Sequence, residues 1–427
     1  MNRDFLHIPP GMRDWLPGEA WRKRKLVNRL LKAISLWGYE EINTPLLEYY
    51  QVLLPGENLW EPDHLYKLTD RDGRILALRS EMTTPIARVV SSKLPERYPW
   101  RLMYGGEVFR YEAIQAGKLR EFCQVGVELI GEKGPEADSE VLAIAIEALQ
   151  AAGLKNFTIS LGHTGVVKRI LESFAADKTQ FNQVRSLLLE KDFVGLGSCL
   201  LDAGMNREKV EELLGILTRQ FTAAEVEQLP AGGSVAALEG LVDWPELAGV
   251  FAELQQTLKY LKQAGYERYI QVDLSTLRRQ DYYTGMVFEI YTPGIGYTIG
   301  GGGRYDELLR YFGKDSAAVG FALGVERILI SLLQDPEAAG TLDSPNQAPP
   351  VLVAGVDYAK VLERAQQYRR NGQRTLVQAA VDLTRPAAEE RAQAQGAVLD
   401  WLEGEGSAAE EGDSTAEKGG NDADAGA

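Results

Sequence analysis

Apolar positions along this chain recur with two periods, and the switches between them mark its elements. After Pro17, Leu26, Leu30, Ala33, Ile34 and Trp37 fall at helical spacing, and Gly38 stands where a helix C-cap belongs. YEEINTPLLEYY follows as a strand. YKLTDRDGRILALRSE predicts a hairpin turning at Arg71-Asp72-Gly73. PWRLMYGGEVFRYE and REFCQVGVELIG predict two more strands around a loop at 113–119. ADSEVLAIAIEALQAAG predicts a helix stopped by Gly153, and NFTISLG predicts a strand.

From about 166 to 265 the pattern is helical, with breaks at GLGS and LPAGGS, and reads as a helical insertion. Strands return at RYIQVDLS, GMVFEIYTP and GYTIGGGG. DELLRYFG and GVERILISLLQ are helical, and 335–350 reads as a linker. Residues 351–402 predict a β-α-β segment and one more helix, PAAEERAQAQGAVLDWLEG. Residues 403–427 hold no large apolar side chain and are expected to be a disordered acidic tail, because nothing there offsets chain entropy by burial. Short turns between strands and helices in blocks predict an α+β fold on an antiparallel sheet rather than a doubly wound parallel one.

Composition narrows the class. The chain has 427 residues, 45% hydrophobic and 25% charged, enough for two or three domains with a sizeable core. No apolar run approaches the roughly 18 residues of a membrane span, and no apolar leader opens the sequence. Cys123 and Cys199 lie far apart, which fits a reducing cytoplasm. His7, His64 and His163 are scattered, so neither a metal nor a cofactor is expected. Net charge is −15, of which the last 25 residues carry −7. The remaining −8 argues against a polyanion as main partner. Arg22 to Lys25 read as the solvated face of the first helix.

Candidate chemistry clusters in the predicted strands. In LRSEMTTP, Glu81 and Thr83 share parity; in FCQVGVE, Gln124, Gly126 and Glu128 do. Two carboxylates and an amide facing one cavity would suit an ammonium group, with Gly126 leaving room. The same parity fits ordinary residues of a half-solvated sheet. FRYE sets Arg110 beside Glu112, as a carboxylate or phosphate contact or as a surface ion pair. GGGGRYD permits close backbone approach to a ligand but is neither a P-loop nor a dinucleotide fingerprint. LRRQDYYTG, residues 277–285, puts Arg278, Arg279, Tyr282 and Tyr283 into what otherwise reads as strand and turn.

In order, YEEINTP, LRSEMT, FRYE, REFCQVGVE, DYYTGMVFE, GGGGRYD and GFALGVER resemble the motifs of histidyl-tRNA synthetase and its relatives over roughly residues 5–330. The resemblance implies a class II aminoacyl-tRNA synthetase-like core at 1–330, with a six- or seven-stranded antiparallel sheet flanked by helices, and a dimer through the first motif. It implies that Glu81, Thr83, Gln124, Glu128, Tyr282 and Tyr283 surround a histidine. Arg110 and Arg278 would lie on its carboxylate or adenylate side, and Arg327 would match the arginine that meets ATP.

Several positions depart from the synthetase pattern. The second-motif loop reads Ala113-Ile114-Gln115-Ala116-Gly117-Lys118 where Arg-Pro-Gln-x-Gly-Arg is usual. Cys123 replaces a histidine, LRSEMT stands for LRPEGT, and Arg279 replaces a glycine. Residues 351–402 match only the first part of an anticodon-binding domain. These departures resemble the family of synthetase-like regulatory subunits that accompany short-form ATP phosphoribosyltransferases. That resemblance implies a non-catalytic chain that binds the short-form ATP phosphoribosyltransferase catalytic subunit in a hetero-octamer, with L-histidine as effector and no tRNA. The alternative is an active, shortened histidyl-tRNA synthetase or a histidine-activating enzyme. ATP–pyrophosphate exchange separates the two.

Overall fold

The computed structural model describes residues 6–56, 64–111, 119–174, 178–227, 244–280, 282–343 and 348–403. The expected disordered tail from 404 onward and most of the second-motif loop, 112–118, lie outside them. The chain divides into two compact units, 1–343 and 344–427.

The first unit opens with helix α1 (Glu19–Ser35), whose buried Leu26, Leu30 and Ile34 repeat every four residues. The stretch expected as one strand is two short ones, β1 (Glu40–Glu41) and β2 (Leu47–Tyr49), followed by α2 (Tyr50–Leu53). β3 (Lys67–Thr69) and β4 (Ile75–Leu78) form the expected hairpin and pair with β2 in a small antiparallel sheet. Helix α3 (Thr83–Ser92) comes next, and then the longest strands, β5 (Trp100–Phe109) and β6 (Glu121–Ile130). Helix α4 (Gly134–Ala152) ends on Gly153, whose φ of 105° suits only glycine readily. Strand β7 (Thr158–His163) leads into the helical region.

That region comprises α5 (Thr164–Phe174), α6 (Lys178–Leu189), α7 (Phe193–Asp202), α8 (Arg207–Leu217), strand β8 (Gln220–Thr222), α9 (Ala223–Glu227) and α10 (Trp244–Gln263). The chain returns through β9 (Ile270–Asp273), β10 (Met286–Tyr291), β11 (Gly300–Arg304), β12 (Ala318–Gly324) and α11 (Val325–Gln334). The start of the expected linker is α12 (Pro336–Leu342), capped by the Asp335 carboxylate. Its buried Ala338 and Leu342 join the main core.

The main sheet has nine strands in the order β1-β5-β6-β12-β11-β10-β7-β9-β8. It is mixed rather than purely antiparallel, because β1 runs parallel to β5 and β7 parallel to β9. The helical region contributes its own edge strand, with Phe221 of β8 facing Val272 of β9. Alternation along β6 sorts the two faces. Cys123, Val125, Val127 and Leu129 enter the large apolar core with α1, α4 and α11. Gln124, Gly126 and Glu128 turn the other way.

The second unit is a parallel three-stranded sheet, β14-β13-β15, built from β13 (Val351–Gly355), α13 (Tyr358–Arg370), β14 (Thr375–Ala379), α14 (Arg385–Ala394) and β15 (Val398–Leu402). The last expected helix is cut in two by Gly396 at φ 59°, after which Leu399 and Trp401 pack against Leu352 and Ala388.

A buried ion pair pins the sheet to α4. Arg304 donates from Nη2 (2.6 Å) and Nε (3.0 Å) to Asp138, and its Nη groups also reach the carbonyls of Glu132 and Gly134. Both side chains are buried, and without Asp138 the Arg304 guanidinium is left with the half-exposed Asp306 carboxylate at 3.2 Å. Asp138→Ala is expected to cost roughly 3–5 kcal/mol. Urea unfolding measures it, and a loss below about 1 kcal/mol would contradict this role.

Candidate functional site

Glycines decide what can lie on the polar face of the sheet. A Cβ on Gly301 would meet the Arg278 guanidinium, and one on Gly303 would sit 3.0 Å from the Tyr283 ring. The GGGG run therefore admits Arg278 and Tyr283 of the protein's own strap against β11. Gly126 behaves in the same way. Its open side is filled by the Tyr104 phenol and the Phe321 carbonyl, so it leaves no room for a ligand, contrary to the expectation from sequence.

Glu128 is buried at the centre of this face. Thr83 Oγ1 donates to it at 2.8 Å, and the Tyr305 hydroxyl donates to its other oxygen. Glu81 and Thr83 are not on a strand. Glu81 lies in the turn after β4, and its carboxylate accepts the backbone N–H of Thr83 (2.6 Å) and of Thr84 (2.8 Å) at the start of α3. This capping brings Thr83 to Glu128. The Tyr282 ring lies 4.8 Å from that of Tyr283 and 5.7 Å from that of Tyr305, closing an aromatic wall. Burial pushes these tyrosines up, so they stay protonated donors.

Beside this cluster opens a cleft of about 280 Å³. Arg110, Arg278, Arg279 and Arg327 line it, against Glu289 and Glu326. The Glu326 charge is already met by Lys23 at 2.8 Å and by the Cys123 backbone N–H. Glu289 lies 3.6 Å from Arg278. Among the described lining residues, four guanidiniums thus stand with two carboxylates. Arg110 is steadied by the Ser80 carbonyl and the Phe122 ring, Arg327 by the Thr298 carbonyl and the Tyr297 ring. Two buried polar atoms of the lining residues, Gln124 Oε1 and Arg278 Nε, have no hydrogen-bond partner among the described residues.

Of the eight residues expected at the site, Arg110, Gln124 and Arg278 line the cleft. Glu81, Thr83, Glu128, Tyr282 and Tyr283 form the buried cluster next to it. Tyr104, Tyr305, Tyr297 and Glu289 were not singled out from sequence. Tyr305 was readable from GGGGRYD as a neighbour of the glycine run; Tyr104 carries no signal beyond strand parity. Arg304, from the same run, is committed to Asp138. Among the described residues no group of three or more His, Cys, Asp or Glu could hold a metal ion, and no helix is long and apolar enough to cross a membrane.

Burial raises the Glu128 carboxyl from its ordinary 4.5 to about 8, against the pull of Tyr305 and Thr83, with Glu81 adding to the rise. Between those values the folded chain holds a proton that the unfolded chain has released, so this group's contribution to stability falls as pH rises. Glu128→Gln mimics the protonated form. Its melting temperature relative to the native protein is expected to climb between about pH 5 and pH 9. A difference that stays flat across that range would show that the carboxyl titrates normally.

A family model described as histidyl-tRNA synthetase matches residues 11–328. A Moorella thermoacetica protein described as ATP phosphoribosyltransferase regulatory subunit is 40% identical over 93% of this chain and 98% of its own length. The crystal structure of an ATP phosphoribosyltransferase regulatory subunit/histidyl-tRNA synthetase from Bacillus halodurans superposes with a TM-score of 0.78 at 31% identity, covering 93% of this chain and 98% of the other. Histidyl-tRNA synthetase from Nostoc shares the fold, with a TM-score of 0.71 at 22% identity over 92% of this chain and 90% of the other. The match along nearly the whole length, on a mixed sheet whose polar face carries the cleft, places this chain in the ATP phosphoribosyltransferase regulatory subunit family.

Proposed function

We propose that this chain is a non-catalytic subunit, required by a short-form ATP phosphoribosyltransferase catalytic subunit, and that its cleft takes L-histidine as feedback effector. The observation that carries the ligand reading is the pairing in one cleft of Gln124 Oε1, unpartnered among the described residues, with the guanidiniums of Arg110 and Arg278. The amide oxygen accepts from an ammonium, and Arg278 and Arg110 meet a carboxylate, so the two ends suit an amino-acid zwitterion. The side chain would enter the neighbouring cluster, where Glu128, Thr83, Tyr282 and Tyr283 supply hydrogen-bonding groups around a ring and Glu81 holds Thr83 in place.

The phosphoribosyl transfer would lie in the partner. Histidine would act by binding one assembly state better than another, which is the only way a ligand can shift an equilibrium. Self-association would use the first motif and extend over the small sheet beside it. Leu47, Tyr49 and Leu68 are exposed there, and such an apolar strip calls for cover. A hetero-octamer with the catalytic subunit, and no tRNA, complete the reading.

One observation favours the alternative of a histidine-activating enzyme. Arg327 and Arg110 both reach the cleft, where they could meet a triphosphate. ATP–pyrophosphate exchange dependent on histidine decides the matter; turnover well above background would overturn the non-catalytic reading. For the ligand, Gln124 is a better probe than Glu81, whose removal also uncaps α3. Gln124→Leu is expected to weaken histidine binding by about 10- to 100-fold, the worth of one hydrogen bond to a charged group. Calorimetry on this chain alone and with its catalytic partner measures it, and unchanged affinity in both settings would move the effector site elsewhere.

A further inference from the structure

The strap between β9 and β10 carries Arg278 to the cleft, yet residues 274–280 belong to no helix or strand. Two cations of the helical region hold it. Arg185 of α6 donates to the carbonyl of Arg279 at 3.1 Å and approaches that of Arg278 at 3.5 Å. Lys191, just past the end of α6, donates to Asp273 Oδ2 (3.1 Å), the Ser275 carbonyl (3.2 Å) and Ser275 Oγ (2.8 Å), so all three of its donors are used on one turn. Asp273 Oδ1 closes that turn on Ser275 N–H and Oγ–H. From the same stretch of α6, Leu189 lines the cleft itself.

The backbone at Lys191 is a second, independent sign. Its φ is 54°, the one left-handed value among the described non-glycine residues. Lys191 N–H donates to Leu188 O and Asp192 N–H to Leu187 O, the pair of hydrogen bonds of a helix end that favours glycine at the position Lys191 holds. A lysine kept there bears backbone strain that its side-chain contacts with the strap offset.

We propose that Arg185 and Lys191 are positioning residues, through which the helical insertion holds the strap in the shape that turns Arg278 toward the cleft. This rests on the amino-acid reading above for its ligand, but not for the clamp itself. Lys191→Gly separates the clamp from a merely structural role. It relieves the left-handed strain, so thermal stability should hold or rise, while histidine affinity should fall at least about fivefold. Arg185→Leu should weaken binding in the same direction. In both variants, without ligand, the backbone amides of 274–280 should exchange hydrogen faster, with those of β10 and β11 unchanged.

Strap exchange unchanged in both variants overturns the clamp. Faster exchange with unaltered histidine affinity overturns the positioning role. If the native protein binds no histidine, the effector reading falls, and the exchange comparison in free protein still decides the clamp.

Discussion

A carboxyl group buried in the middle of a sheet has to be satisfied by its neighbours, and Glu128 imposes that demand on everything around it. Thr83 answers from the first residue of α3, which requires Glu81 to cap that helix. Tyr305 answers from just beyond β11. Gly320, opposite Glu128 on β12, has to be glycine, since a Cβ there would overlap the carboxyl. Three separate stretches of chain are thus tied to one functional group. Low dielectric makes each bond to it stronger and each missing one more costly.

Arginines of one chemical type divide by burial and partner. Arg79 is spent on the carbonyls of Thr44 and Glu107, and Arg304 on Asp138 and the start of α4; both hold loops and helices to the sheet. Arg110, Arg278, Arg279 and Arg327 keep at least part of their surface toward the cleft. Their mutual repulsion is tolerable only beside water and acids, here Glu289 and Glu326.

The glycine runs bear on how folds of this kind are read. Glycine in a strand is often taken as space for a ligand. Here Gly301 and Gly303 make space for Arg278 and Tyr283, and Gly126 for Tyr104. The pocket is built from side chains laid on glycines, so a substitution at Gly301, which lines the cleft, would also displace Arg278.

Local pattern was enough wherever a residue's partners lie within a turn or a neighbouring strand. Leu26, Leu30 and Ile34 mark α1, Gly153 ends α4, the turn after Asp70 makes the β3–β4 hairpin, and the parity of Gln124, Gly126 and Glu128 holds in β6. The order of the motifs was likewise enough to place the chain in its family. What depends on contacts distant in sequence was not legible. Thr83 looked like a strand residue because its helix cap comes from a side chain, and α12 looked like a linker because its apolar residues are few and are buried only by other helices. The cleft was decided by tertiary structure, for it needs the loop after β5, β6, the strap, β11 and the start of α11 at one place. No local period records that convergence, because the contacts that select it, the hydrogen bonds that satisfy Glu128 and the packing of Arg278 and Tyr283 on β11, join residues distant in sequence.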